Sequence, residues 1–173
     1  MKSLMIGLMI VLNGFPLWLK AQGSQPPPQD AKNAGAFMQW FAAEAVKEAE
    51  KDWHVKLDYS AESIKAVDQI LGRMHAQYVK EPASVSVRGF GFAYGSYVGE
   101  VIRRTETDVH WERDHPVLGE KSYPLYWGGI VSVPVSWCQK RIANGDEDNL
   151  WFKYTTLKEE KRKLDLKHHS AER

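Results

Sequence analysis

The stretch GFGFAYGSYVGEVIRR, residues 89–104, constrains this chain more than any other. Gly91, Gly95 and Gly99 are spaced by four, close to one helical turn, so a helix here carries a ridge without side chains. On a wheel at 100° per residue, Phe90, Tyr94, Tyr97, Val98, Val101 and Ile102 share one broad arc, and Ser96, Glu100, Arg103 and Arg104 lie opposite. Three helical glycines cost roughly 1 kcal/mol each relative to alanine, a cost that close approach of another helix or strand offsets. The stretch is therefore predicted to be a buried central helix. Its polar side is predicted to be a solvated face with a local ion pair, a polar site of Glu100, Arg103 and Arg104 with Ser96 being the alternative.

A rival reading makes it a phosphate cradle. Gly89, Gly91 and Gly95 follow the short SVSV segment, and Asp108 lies roughly 20 residues on, a loose imitation of a dinucleotide fingerprint. Such a fold needs several buried parallel strands, and no second strand–helix–strand unit is visible. The segment before SVSV reads as a helix, so no cofactor is expected.

The elements around this helix follow from periodicity. Residues 34–53 are rich in Ala, Glu and Lys without proline, which favours a helix burying Phe37, Phe41, Ala45, Ala49 and Trp53. Ser60 is a natural cap for a second helix whose Ile64, Val67, Leu71, Met74 and Tyr78 recur at steps of three and four, until Pro82 ends it. TDVHWER reads as a short strand and DHPVLGEK as a loop. SYPLYW and IVSVPV read as a hairpin turned by Gly128 and Gly129, which tolerate positive φ. Residues 135–143 form a helix closed by Asn144 and Gly145, and Asp146 is predicted to cap a last helix whose charged end frays. The fold class is α+β: helices packed on a small antiparallel sheet, with the glycine-rich helix at the centre.

Before residue 34 the chain changes character. One Lys precedes a run that is mainly apolar from Leu4 to Leu19 and leads to Ala21, the pattern of a cleaved signal peptide over residues 1–21. The alternative is an uncleaved anchor, which would make the membrane a partner. Three consecutive prolines mark residues 22–33 as a spacer. One domain then occupies 34–158, and 159–173 is a charged tail. The expected location is the periplasm or the extracellular space. Cys138 is the only cysteine, so no intrachain disulfide supports the fold there. The 23 basic and 22 acidic residues balance to +1, and loss of Lys2 and Lys20 with the leader would leave 21 against 22. Neither value gathers nucleic acid.

Few residues offer chemistry. In an extended strand Asp108, His110, Glu112 and Asp114 would share one side, which suits a His/carboxylate cluster but equally a strand with one wet face. No HExxH or paired-cysteine spacing supports a metal, and none is expected. NGDEDN lacks the later ligands of a calcium loop. Cys138 beside Trp137 reads as a packing residue.

LDYSAESIKAVDQIL, YGSYVGEVIRR, a Trp in a short strand and KRIANGDEDNL stand in the order that an uncharacterised bacterial domain of unknown function shows. Residues 55–157 resemble that family. The resemblance implies a small α+β domain and transfers no catalytic residue. The expected function is thus an exported, non-enzymatic protein-binding domain, inhibitor or immunity-like in one form, that binds through Trp111, Tyr126 and Trp127 beside Tyr123. The alternative is a small exported hydrolase using His110 and Glu112, with Glu100.

Overall fold

A computed structural model describes residues 26–171 together with Val11–Leu12 and Phe15–Pro16, two short strands paired antiparallel. The rest of the expected signal peptide, with residues 22–25 of the spacer, lies outside the described residues. Pro26, Pro27 and Pro28 take no regular structure, and Asp30 then caps a short 3-10 turn, Ala31–Asn33.

Five helices and a three-stranded sheet follow, an α+β fold: α1 Ala34–Trp53, α2 Ser63–Lys80, α3 Val87–Thr105, β1 Val109–Trp111, β2 Leu125–Trp127, β3 Ile130–Ser132, α4 Pro134–Asn144 and α5 Leu150–Ala171. The strands are antiparallel in the order β1-β2-β3. Gly128 and Gly129, at φ 47° and 85°, make the two-residue turn between β2 and β3, where both positions need a left-handed backbone.

The central helix is α3, packed most extensively against α4 and α1. Residues 89–91 and 93–102 are all buried along it. The glycine ridge explains why. A Cβ on Gly95 would lie 2.4 Å from the Val135 Cα, and one on Gly91 would lie 2.3 Å from the Gln139 side chain, so α4 crosses directly on these two residues. Gly99 instead receives the Trp111 indole of β1, which a Cβ would meet at 2.0 Å. The residues before α3 are not a strand: Pro82–Ser84 is a 3-10 turn, Val85 is extended, and Ser86 caps α3 through the Gly89 N–H.

Two local expectations differ from the structure. Gly145–Asp148 is a 3-10 turn, and Asn149 rather than Asp146 serves the start of α5, its Oδ1 accepting from the Phe152 N–H at 2.8 Å. Helix α5 runs on to Ala171, through most of the charged tail. Pairs such as Glu159–Arg162 and Glu160–Lys163, three residues apart, support that exposed length. Finally, β1 spans three residues only, and Asp108 just before it and Asp114 three residues past its end both take positive φ, 55° and 62°. The longer alternation from 108 to 114 is therefore broken at both ends.

Among the described residues no helix is long and apolar enough to cross a membrane.

Candidate functional site

Strand alternation gives the sheet two unlike faces. Trp111, Leu125, Trp127 and Ser132 point inward and are buried. His110, Tyr126 and Val131 point outward and stand opposite one another in register across the three strands. The His110 ring stacks on Tyr126 with centroids 5.4 Å apart, and His110 Nε2 lies 3.2 Å from Glu112 Oε1. Desolvation and the Glu112 carboxylate push the Tyr126 phenol above its ordinary value.

The loop that joins β1 to β2 borders this face, since His115 lies 6.3 Å from Tyr126. Its backbone is well tied. His115 Nδ1 accepts from the N–H groups of Val117 and Leu118, the Ser122 hydroxyl accepts from the His115 N–H, and Asp114 accepts from the Lys121 N–H. The Val117 and Leu118 side chains of this loop are 86% and 46% exposed, and Val131 of β3 is 42% exposed. The outer face thus presents His110, Tyr126 and Val131, bordered by a hydrogen-bonded loop.

The inner face corrects two expectations. Trp111, Trp127 and Tyr123 are core residues rather than a binding surface; of the named aromatics only Tyr126 stays on the outside. Glu100 is fully buried instead of solvated. The cause is again the glycine ridge: Gly99 admits the Trp111 indole, and Trp111 Nε1 donates to Glu100 Oε1 at 3.0 Å. Arg103 closes on the same carboxylate through Nε and Nη2 at 2.8–3.1 Å, and Arg104 Nε lies 3.6 Å away with its guanidinium over the Tyr59 ring. Glu100 therefore sits with the inward Trp111, while the outward His110 and Glu112 stand together on the other face. The three candidates of the hydrolase reading do not converge, and no group of three or more His, Cys, Asp or Glu among the described residues is placed to hold a metal ion.

Other buried polar groups carry no periodicity signal strong enough to be singled out. Asp68 binds Arg141 at 2.9 Å and also accepts from the Asn149 side chain and the Leu150 N–H, which ties α2, α4 and α5 together. Glu44 and Glu48 lie one turn apart on α1, 1% and 4% exposed. Glu44 Oε1 meets Lys47 at 2.6 Å, whereas its Oε2 is buried with no hydrogen-bond partner among the described residues. Glu48 accepts from the Tyr94 hydroxyl and from Trp53 Nε1. Cys138 is completely buried, which pushes its thiol far up and makes it inert, as its Trp137 neighbour suggested. A groove of about 420 Å³ lies between α5 and Trp127, but its charges pair among themselves, Lys158 with Glu106 and Lys161 with Asp165.

Fold and site together describe a small α+β domain with one open sheet face. Comparisons with family models, with curated proteins and with solved structures find no match to this chain.

Proposed function

We propose that this chain is an exported, non-enzymatic binding domain that recognises a protein partner in the periplasm or outside the cell. The observation that carries the reading is the outer sheet face. There His110, Tyr126 and Val131 stand in register, and the hydrogen-bonded loop that brings His115 to Tyr126 also carries the exposed Val117 and Leu118. A surface already ordered before binding loses little conformational entropy on association. A hydrolase would have to work with His110 and Glu112 alone, both about half exposed, where water screens the pair. An inhibitor or immunity-like role is one form of the proposal, and the resemblance of residues 55–157 to a domain of unknown function assigns no other.

The test is capture from the native envelope fraction with mass-spectrometric identification, comparing the natural chain with a Tyr126→Ser/Val131→Asp variant. A partner retained by the first and lost by the second, with circular dichroism unchanged, supports the proposal. Equal retention by both contradicts the assigned face. Export rests on the leader, and its cleavage predicts an N-terminal mass beginning at Gln22. A mass that includes residues 1–21 would instead favour the membrane anchor.

A further inference from the structure

The three-stranded sheet ends in two edges of different chemistry. Along the β1 edge stand Asp108, His110, Glu112, Arg113 and Asp114, and the backbone takes positive φ at Asp108 and Asp114 on either side of the strand. Charges and bends of this kind keep an exposed edge from pairing with another chain. Strand β1 also packs on α1 and α3. The β3 edge has neither protection. From Ser122 to Gln139 the chain carries no charged residue, and among the described residues β3 packs extensively on β2 alone.

Hydrogen-bond alternation aims the free groups of β3 outward. Gly128 N–H donates to the Asp108 carbonyl at 3.1 Å, and Glu112 N–H donates to the Pro124 carbonyl at 3.0 Å. With His110 opposite Tyr126, these two bonds flank a bonded His110–Tyr126 pair, so the Tyr126 N–H and C=O both turn toward β1. Across β2 and β3 the Tyr126–Val131 pair therefore makes no ladder bond, and Trp127–Ile130 and Leu125–Ser132 are the bonded pairs. The N–H and C=O of Val131 point away from the sheet, and its side chain is exposed. Pro134, the nearest proline, falls on the β2 side of the alternation, where it removes no outward donor.

We infer that β3 is a pairing edge for a second copy of this chain, two molecules joining antiparallel through Val131 about a two-fold axis to make one continuous sheet. The occupant is another copy because the edge complements itself. An uncharged strand meets its own duplicate without like-charge repulsion, and the Val131 N–H and C=O find their counterparts at the axis. The two Val131 side chains then stand side by side on the outer face. The β1 edge cannot take the same part: its charges and bends oppose the head-to-tail contact that would run on as a fibre, so the assembly closes at the dimer. The inference does not rest on the protein partner proposed above, although Val131 belongs to both surfaces.

A contact this short gives a weak dimer, so the test is sedimentation velocity on the whole chain from micromolar to millimolar concentration. Val131→Lys sets like charges at the axis and should weaken self-association about tenfold or more. Tyr126→Ser, which alters the outer face but not the edge, should leave it unchanged. In isotope-filtered NMR on mixed labelled and unlabelled chains, Val131 should contact Val131 of the other copy, and its amide should exchange more slowly as concentration rises. That measurement needs no variant and holds even if Val131→Lys folds poorly. A monomer throughout the range, self-association that Val131→Lys leaves unmoved, equal loss in Tyr126→Ser, or intermolecular contacts confined to α5 or β1 would each overturn the inference.

Discussion

Gly95 and Gly35 show how differently one residue type acts within the same helical content. Both lie in helices, but Gly95 faces the Val135 Cα and the Pro134 carbonyl, whereas Gly35 has nothing within 4 Å of an added Cβ. Backbone cannot move aside as a side-chain tip can. Gly95→Ala should therefore lower stability by roughly 1–3 kcal/mol or more through overpacking. Gly35→Ala should raise it by roughly 0.5–1 kcal/mol, because alanine has less freedom to lose on folding. Urea denaturation of the two variants checks both signs, and a stable Gly95→Ala would remove the close-packed ridge. Tyr97 offers a third test at this scale. Its hydroxyl joins the Tyr59 N–H and the Ser63 hydroxyl at 2.8 and 2.7 Å in a buried setting. Tyr97→Phe should cost about 1–3 kcal/mol by leaving the Tyr59 donor unpaired.

Among the elements, the glycine-ridged helix was legible because three small residues at helical spacing make a demand that only close packing meets. The hairpin was legible for a related reason: Gly128 and Gly129 separate two alternating segments, and the turn needs positive φ at both. Burial on the polar side of α3 was not legible. A wheel ranks residues by type, so Glu100 fell on the wet side, and only the arrival of Trp111 over Gly99 reverses that. The same blindness hid Asp68, Glu44 and Glu48, whose acidity masks their places beside apolar stripes. The strand alternation that suggested a His/carboxylate cluster also sends Trp111 and Trp127 inward, so the period was visible but not which face lay on the core. For α5, the capping role moved three residues, from Asp146 to Asn149. Asn149→Ala should cost about 1 kcal/mol, measured by chemical denaturation, with Asp146→Ala near neutral at the helix start.

For the whole molecule, acid stability should pass through a maximum. Burial raises the Glu48 carboxyl from an ordinary 4.5 to about 7, so Glu48 contributes most below about pH 4.5 and progressively less toward 7. Asp148 acts in the opposite sense. Burial alone would raise it, but hydrogen bonds from Lys153 and Asn144 outweigh that and hold it below its ordinary 3.8. Its contribution is present above that value and lost as pH falls through the lower folded one. The melting midpoint should accordingly rise as pH falls from about 8 to about 5, then drop below about 4. The central functional claim concerns one surface, and hydrogen-exchange mass spectrometry of the captured complex tests it most directly. Protection confined to the segments bearing His110, Tyr126 and Val131 and to the 115–118 loop is the predicted result. Protection on α2 or α5 with those segments unchanged would contradict it.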